Sequence, residues 1–373
     1  MPPSILNLAV EGVQALQPYA PGKPLSELER EFGITQAIKL ASNENPLGPS
    51  QRVLEALRGE FSDLARYPDG NGFVLKAALS AKLDVDAAWI TLGNGSNDVL
   101  ELVARGFLSP QSSAVFSAHA FAVYPLVTQA IGARGIAVPA HDGSGGPAFG
   151  HDLQAMLAAI ADNTRVVFVA NPNNPTGTWV AEPDLRAFVE QVPGDVIVVI
   201  DEAYFEYVDA PGYPNAMQWV GEFPNLLVTR TFSKAYGLAS LRVGYGVSQP
   251  ALADVLNRVR QPFNVNSFAQ AAAVAALADS AHLEQGIAIN RQGMQQFEAG
   301  FKSLGLDYIP SVGNFISVNT GRDAGQIYTA LLHEGVIVRP VANYAMPGYL
   351  RISVGLHEEN RRCLDALGKV LAA

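Results

Sequence analysis

The sequence predicts an α/β protein in which a large, mostly parallel sheet is joined to a smaller α+β unit. Short β-branched runs alternate with helical patterns through the middle of the chain. The clearest runs are residues 165–170 (RVVFVA), 196–200 (VIVVI), 226–229 (LLVT) and 243–247 (VGYGV). Three of these runs are apolar on both faces, which is typical of parallel strands covered by helices on both sides.

The pattern divides the chain into three segments. Residues 1–45 predict an extended arm and a short helix that belong to the small domain, and residues 46–265 predict the large α/β domain, with helices at 98–107 and 183–191. Residues 266–373 predict the rest of the small α+β domain. Its predicted elements are helices at 268–278, 281–304, 324–334 and the chain end, and strands in NFISVNT, IVRPV and LRISVG.

Composition excludes several classes of protein. The chain has 373 residues, 49% of them hydrophobic and 16% charged, which is too apolar for a disordered protein. Its net charge of −10 does not favour binding to nucleic acid. No apolar run approaches the ~18 residues that span a bilayer. The first residues lack a signal-peptide pattern, and the lone Cys363 forms no internal disulfide, so we expect a cytoplasmic protein.

Polar motifs follow three of the predicted strands directly. Residues 171–177 (NPNNPTG), 201–204 (DEAY) and 230–234 (RTFSK) each begin where a strand ends, and Arg242 follows eight residues after the last motif. Each motif alone is weak, because Asn, Pro and Gly also serve ordinary turns. Ligands of open α/β sheets bind at the carboxyl ends of the strands, so the coincidence of three motifs predicts a binding site there.

The residue types in these motifs indicate an anionic aromatic ligand. Asp201 at the end of an apolar strand needs a cationic partner, because burying an unpaired carboxylate is costly. Thr231, Ser233 and Arg242 suit a phosphate, and the turn at residues 93–98 (GNGSND) opens onto a helix whose N-terminus attracts anions. One ligand would use all of these groups: an aromatic phosphate with a basic ring nitrogen and an aldehyde for a lysine amine.

Together the motifs resemble those of the fold-type I pyridoxal-phosphate aminotransferases. The resemblance rests on NPNNPTG, DEAY and TFSKAYGLASLRVGY and extends from LQPY, LASNENPLGPS and RYPDG to the terminal VRP and LRISVG. It covers essentially the whole chain and is most specific for the histidinol-phosphate aminotransferase branch. It implies the cofactor pyridoxal phosphate, a two-domain fold of this type and a homodimer with shared active sites.

The resemblance implies a role for each matching residue. Lys234 would bind the cofactor aldehyde through its amine and then move the substrate proton. Asp201 would pair with the pyridinium nitrogen and keep it protonated, while Asn174 and Tyr204 would hydrogen-bond the phenolic oxygen. Phe121 would stack on the ring; many relatives carry a tyrosine there, so one hydroxyl contact is missing.

The remaining implied residues hold phosphate or substrate. Tyr67 would reach the cofactor phosphate of the neighbouring subunit, and Tyr19 would contribute to the substrate site from the N-terminal arm. Arg351 and Arg339 are both candidates for the substrate anion, and neither is favoured decisively by the sequence. The cofactor-phosphate ligands that the resemblance implies are Gly95, Ser96, Asn97, Thr231, Ser233 and Arg242.

The leading hypothesis is therefore transfer of an amino group between L-histidinol phosphate and 2-oxoglutarate, giving imidazole acetol phosphate and L-glutamate, a step of histidine biosynthesis. An aromatic-amino-acid aminotransferase is the main alternative, because imidazole and phenyl rings fill similar pockets. A lyase of the phosphothreonine decarboxylase type and a non-enzymatic cofactor-binding protein are further alternatives. The six histidines show no metal-ligand spacing, and no metal, nucleic acid or membrane is expected as a partner.

Overall fold

A computed structural model describes residues 5–19 and 21–373 of the chain. Residues 1–4 and 20 of the predicted arm lie outside the described residues. The α-helices within the described part are α1 (Glu11–Gln14), α2 (Leu25–Phe32), α3 (Gln51–Glu60), α4 (Phe73–Leu83), α5 (Ser96–Phe107), α6 (Val123–Ala130), α7 (Leu153–Ala158), α8 (Glu182–Gln191), α9 (Pro250–Val259), α10 (Ser267–Leu277), α11 (Ser280–Ser303), α12 (Ala324–His333) and α13 (His357–Ala372).

The strands form three sheets. They are β1 (Ile38–Lys39), β2 (Ile90–Gly93), β3 (Ser113–Ser117), β4 (Arg134–Val138), β5 (Thr164–Ala170), β6 (Ile197–Asp201), β7 (Leu226–Thr231), β8 (Gly244–Ser248), β9 (Tyr308–Ile309), β10 (Phe315–Asn319), β11 (Val336–Ile337), β12 (Arg339–Pro340) and β13 (Tyr349–Ser353). The largest sheet has the order β2-β8-β7-β6-β5-β3-β4, and the four-stranded sheet has the order β12-β13-β10-β9.

The central sheet is mostly parallel, as predicted. Strand β8 runs antiparallel to both of its neighbours, whereas the other neighbouring strands are parallel. In the register of β5, β6 and β7, Ala170 pairs with Asp201, and Asp201 pairs with Thr229. The three strands therefore end nearly level, and the motifs that follow them meet at one edge of the sheet.

Both faces of this sheet are buried, which explains the continuous apolar runs in the sequence. Strand β5 presents Val167 and Val169 to one core cluster and Val166 and Phe168 to another on the opposite face. Helices therefore cover both sides, and the polar carboxyl edge is left for ligand binding.

The two ends of the chain meet in a second unit. Strand β1, near the N-terminus, pairs in parallel with β11, and Leu40 belongs to the core cluster that joins β10, β13 and the helices α11, α12 and α13. This pairing supports the predicted small domain, whose limits stay a prediction. Helix α10 departs from that division, because its alanines pack in the core beside the large sheet. The packing favours a boundary beyond residue 277.

No helix in the described ranges is both long enough and apolar enough to cross a membrane. The cytoplasmic location expected from the sequence stays a prediction.

Candidate active site

A cavity of about 320 Å³ lies at the carboxyl edge of the large sheet. Residues from the first part of the chain, from the large sheet and from β12 and β13 line it. The predicted site residues that line it are Tyr19, Ser96, Asn97, Phe121, Asn174, Asp201, Tyr204, Thr231, Ser233, Lys234, Arg242, Arg339 and Arg351. Side chains that are as much as 332 residues apart in sequence thus face one volume, which is large enough for a cofactor ring or a small substrate.

Lys234 provides a buried amine in this cavity. Its Nζ donates a hydrogen bond to the carbonyl oxygen of Ser42 at 2.9 Å and lies 5.8 Å from the centre of the Tyr204 ring. Burial, reinforced by the positive charge of Arg351, lowers the pKa of the Lys234 amine to about 7. A large fraction of the amine is therefore neutral near neutral pH, as a nucleophile toward an aldehyde must be.

Asp201 is a buried carboxylate at the end of β6. Its Oδ2 accepts a hydrogen bond from the Tyr124 hydroxyl at 2.8 Å, and its Oδ1 accepts one from the Thr229 hydroxyl at 3.0 Å. Burial raises the pKa of Asp201, and these two bonds oppose the rise. Both bonded hydroxyls are neutral, so a cationic ligand group beside Asp201 would complete its electrostatic environment.

The start of α5 and the loop before β8 form a cradle suited to a phosphate. Arg242 has a φ of +57°, and its Nη1 donates to the Ser233 hydroxyl at 3.2 Å. Gly95, just before α5, has a φ of +82°, and a Cβ there would lie 2.5 Å from Arg242 Nη2. A side chain at Gly244 would collide with the backbone nitrogen of Ser96. Backbone and guanidinium donors can approach one another here only because glycines line the cradle.

Substitution of Gly244 tests this close approach. We expect Gly244→Ala to weaken binding of the cofactor about tenfold and to lower the free energy of unfolding by about 1–3 kcal/mol, because the methyl group must displace the Ser96 backbone. Fluorescence titration of the apoenzyme and urea unfolding measure the two effects. Gly194→Ala is the matched control, since a Cβ at Gly194 meets no atom within 4 Å. Equal behaviour of the two variants would contradict the assignment of the cradle.

Tyr204, Asn174 and Phe121 line the same cavity as Lys234 and the arginines. The Tyr204 hydroxyl is buried, accepts a hydrogen bond from Asn43 Nδ2 at 2.9 Å, and has a pKa raised above its ordinary value by burial. Asn174 Oδ1 accepts a hydrogen bond from Arg351 Nη1 at 2.5 Å. Phe121 is partly buried and lines the cavity, which agrees with a ring that stacks on a ligand.

Two arginines lie directly opposite each other on neighbouring strands. Arg339 of β12 pairs in register with Arg351 of β13, and both side chains are buried. Arg351 Nη2 donates to the carbonyl oxygen of Ala41 at 2.7 Å, and the Arg339 guanidinium lies 5.6 Å from the centre of the Tyr19 ring. Like charges facing each other across a sheet are destabilising, so the pair indicates a site for an anion. The structure thus places both sequence candidates at the same site.

The charge of the cavity contrasts with that of the whole protein. Among its described lining residues are three arginines and one carboxylate, Asp201, although the chain carries a net charge of −10. The arginines are Arg242, Arg339 and Arg351, and the amine of Lys234 adds positive charge when it is protonated. Positive potential concentrated in one cleft attracts anionic ligands.

Two predicted residues do not line the cavity in this chain. Gly95 lies just behind Arg242, where it allows the close approach described above. Tyr67 is 82% exposed and stacks on Phe263 at a centroid distance of 4.7 Å. Its predicted contact with the cofactor of a neighbouring subunit stays a prediction.

Sequence reasoning missed Tyr124, Thr229 and Asn43. Tyr124 lies three residues after Phe121 on α6, and Asn43 lies within the quoted LASNENP motif. Tyr124 and Thr229 bind Asp201, and Asn43 binds Tyr204, so none of the three carries a chemical signal of its own in the sequence. The position of Tyr124, three residues after the predicted ligand-stacking Phe121, is the signal that could have found Tyr124.

The lowered pKa of Lys234 predicts how the rate of cofactor capture depends on pH. Burial disfavours the charged amine, so the neutral form predominates above about pH 7 and the protonated form below it. We expect the capture rate of pyridoxal phosphate by the apoenzyme to rise with pH to a plateau, with a midpoint near 7. Stopped-flow absorbance measures this rate. A midpoint near 10.5, the ordinary value for lysine, would contradict the buried environment of the amine.

Comparisons with known proteins agree with this geometry. Residues 35–367 match the family model described as aminotransferase class I and II. Histidinol-phosphate aminotransferase 2 of Pseudomonas aeruginosa is 63% identical over 369 residues, which are 98% of each chain. The corresponding protein of Pseudomonas fluorescens strain Pf-5 is 60% identical, again with 98% of each chain covered.

Similarity to a solved structure extends to the whole fold. The histidinol-phosphate aminotransferase of Sinorhizobium meliloti, whose crystal structure was determined in complex with pyridoxal 5'-phosphate, superposes with a TM-score of 0.89 at 30% identity and 97% coverage of each chain. The family match and the two Pseudomonas relatives each cover most of the chain. The chain therefore belongs to the class I and II aminotransferases, in their histidinol-phosphate aminotransferase branch.

Proposed function

We propose that this enzyme interconverts L-histidinol phosphate and 2-oxoglutarate with imidazole acetol phosphate and L-glutamate. The aminotransferase class, the fold-type I architecture and the cofactor pyridoxal phosphate predicted from the sequence are confirmed by the family match and the relatives. The observation that carries the choice of substrate is the pair of buried arginines facing each other across β12 and β13. The aromatic-aminotransferase and lyase alternatives are not favoured, since the relatives at 60–63% identity bear the histidinol-phosphate name.

The residues present fit the cofactor. Pyridoxal phosphate, when bound, supplies an electron sink for the carbon that loses its proton. Asp201 would hold the pyridinium nitrogen. Its two oxygens accept only from neutral hydroxyls, so the charge of the buried carboxylate still requires a cationic partner. Arg242, Ser233 and the start of α5 would hold the phosphate in the glycine-lined cradle.

Lys234 would perform the proton transfer. Its buried amine has a pKa near 7, which lies in the range where one group exchanges a proton efficiently in both directions. The carbonyl oxygen of Ser42 holds Nζ from one side, and the Tyr204 ring lies on another. These contacts hold the amine in the cavity that Asn174 and Arg351 also line.

Two anionic substrates would share the arginine pair. A phosphate ester is a dianion, and two guanidinium groups match its charge and its several acceptor oxygens better than they match a single carboxylate. Glutamate lacks the phosphate but carries two carboxylates, so the same cations would receive it in the other half-reaction. Tyr19 supplies a ring surface beside Arg339 for the imidazole group, while Phe121 would stack on the cofactor ring.

We further propose that the enzyme is a homodimer in which Tyr67 completes the partner's site. Tyr67 and Phe263 form an exposed stacked pair, and Phe61, Phe73 and Val74 are also more than 60% exposed nearby in the chain. So many exposed large apolar side chains indicate a surface that another protein covers.

Mixing two inactive variants tests the shared site. Tyr67→Ala and Lys234→Ala should each be weakly active or inactive alone. Hybrid dimers of the two should regain activity, because one of their two sites would contain both native residues. Lys234→Ala mixed with the double variant Tyr67→Ala/Lys234→Ala controls for effects of mixing alone, since no site in that hybrid contains Lys234. A monomeric protein in sedimentation analysis, or no recovery after subunit exchange, would overturn the proposal.

A competition assay tests the choice of substrate. With 2-oxoglutarate as acceptor, we expect kcat/KM for L-histidinol phosphate to exceed that for L-phenylalanine by at least about 10²-fold, equivalent to one or two charge-assisted hydrogen bonds. The preference should shrink in Arg339→Gln, which removes one of the two facing charges. Comparable kcat/KM values for both substrates in the native enzyme would mean that the cavity recognises a ring and a carboxylate rather than a phosphate. That result would overturn the assignment.

A further inference from the structure

A short segment after β1 contacts three side chains of the site. Residues 41–43 contribute the Ala41 carbonyl, which accepts from Arg351, and the Ser42 carbonyl, which accepts from Lys234. Asn43 contributes its side chain, which donates to Tyr204. Asn43 is 1% exposed and has a φ of +55°, a left-handed conformation that asparagine tolerates better than most residues. A buried residue that is held in this conformation and makes a specific side-chain contact indicates a positioning role.

The direction of each hydrogen bond around Asn43 follows from its neighbours. The Asn43 backbone N–H donates to Ser353 Oγ at 2.8 Å, so the Ser353 hydroxyl proton is free to point elsewhere. That proton is donated to Asn43 Oδ1 at 2.9 Å. The amide oxygen of Asn43 is thereby directed to Ser353, and its NH₂ group is directed to Tyr204 Oη, also at 2.9 Å.

The orientation of the amide determines what Tyr204 can do. An amide nitrogen only donates, so Tyr204 Oη accepts the bond from Asn43 and retains its own proton. Within the described residues, the Tyr204 hydroxyl has no other hydrogen-bond partner, and its side chain lines the cavity. The phenolic proton is therefore available to an acceptor inside the cavity, where a buried donor without a partner would be costly.

We propose that Asn43 is a positioning residue that makes Tyr204 a hydrogen-bond donor toward the phenolic oxygen of the cofactor, with Ser353 setting the orientation of the Asn43 amide. The inference rests on the proposed function and on the contact between Tyr204 and that oxygen that the family resemblance implies. Asn43 acts through Tyr204 and does not itself touch substrate. A donor stabilises negative charge on the phenolic oxygen and so changes both the affinity for the cofactor and the pH at which its spectrum changes.

The substitution Asn43→Asp tests the direction of the bond. Aspartate is close to asparagine in size, tolerates the left-handed conformation and still accepts from Ser353, but it replaces the donor to Tyr204 with an acceptor. Arg351, which donates to the carbonyl oxygen of Ala41 two residues away, places a cation near this position and favours the ionised form of the new carboxylate. Tyr204 would then donate its proton to Asp at position 43 and not to the cofactor.

We expect Asn43→Asp to weaken binding of pyridoxal phosphate to the apoenzyme about tenfold, as for loss of one hydrogen bond to a charged group. The pH midpoint of the visible absorption of the bound cofactor should rise, because the phenolic oxygen loses a donor. Tyr204→Phe should show the same two changes, and the double variant should be no worse than Tyr204→Phe, since both remove one interaction. Asn43→Gly, which suits the positive φ and deletes the amide, should also weaken binding.

Asn360→Asp is the matched control. Asn360 is fully buried and hydrogen-bonded to Gly355 and Gln296, away from the cavity lining, so the change introduces a buried carboxylate without altering Tyr204. It should leave the absorption midpoint unchanged. Any of three outcomes would overturn the inference. The effects of Asn43→Asp could add fully to those of Tyr204→Phe, or Asn43→Asp could keep the native affinity and midpoint. The third is a shift of the midpoint in Asn360→Asp equal to that in Asn43→Asp. Failure of the proposed function would appear separately, as lack of transamination by the native enzyme.

Discussion

Replacing Lys234 with alanine should lower kcat/KM for transamination by at least about 10⁴-fold, the upper range for loss of a positioned acid–base group. The cavity offers no second amine in its place, because the other described cations that line it are arginines, which stay protonated. The variant should also lose its cofactor, and with it its yellow colour, on dialysis, since the covalent attachment to the amine is gone. Steady-state kinetics and absorbance spectra measure the two effects.

The Lys234 result is meaningful only if the variant remains folded. Lys302→Ala is a suitable comparison, because Lys302 is an exposed lysine in the last turn of α11. It should retain native activity and native cofactor retention. A Lys234→Ala variant that keeps the cofactor through dialysis and turns over within about tenfold of the native rate would contradict the central role of this amine.

Asp201→Asn should have the next largest effect. The change removes one negative charge and leaves the size of the side chain unchanged. A buried charge pair broken from one side costs about 3–5 kcal/mol, which corresponds to roughly 10²- to 5 × 10³-fold in cofactor affinity or rate. We expect both the affinity for pyridoxal phosphate and kcat to fall, because the amide cannot keep the ring nitrogen protonated. Equilibrium titration of the apoenzyme and single-turnover kinetics separate the two losses.

Asp195→Asn provides the control for this change. Asp195 lies just before β6, the strand that carries Asp201, but its side chain is 73% exposed, so its substitution should leave affinity and rate unchanged. Tyr124→Phe should produce a smaller loss than Asp201→Asn, because it removes one donor to the carboxylate and leaves the charge in place. A native cofactor affinity in Asp201→Asn would show that the carboxylate does not face the ring nitrogen.

The central strands were predictable because their burial leaves a direct trace in the sequence. Strands β5, β6 and β7 are buried on both faces, and their runs of Val, Ile and Leu end at the polar motifs within one or two residues of the predicted limits. Strand β4 was not predicted. It lies at the edge of the sheet, is largely exposed and contains a glycine, so it shows neither alternation nor a continuous apolar run.

Most of the residues that line the cavity were also predictable, unlike those that support them. Lys234, Asp201 and Arg242 carry charges that apolar surroundings must compensate, so their position after strands is informative. Asn43 is neutral, and its partners Tyr204 and Ser353 lie 161 and 310 residues away in the chain. Such a contact depends on the packing of the two ends of the chain together, which local sequence patterns do not specify.

The most direct test of the account is a half-reaction without acceptor. Holoenzyme mixed with an equimolar amount of L-histidinol phosphate should form one imidazole acetol phosphate per active site and retain the amino group, and addition of 2-oxoglutarate should then release L-glutamate and restore the original spectrum. This result would show that the active site accepts a phosphate ester as its substrate and that the enzyme retains the amino group of that substrate. Release of inorganic phosphate without a keto product, or no spectral change while L-phenylalanine reacts fully, would contradict the assignment.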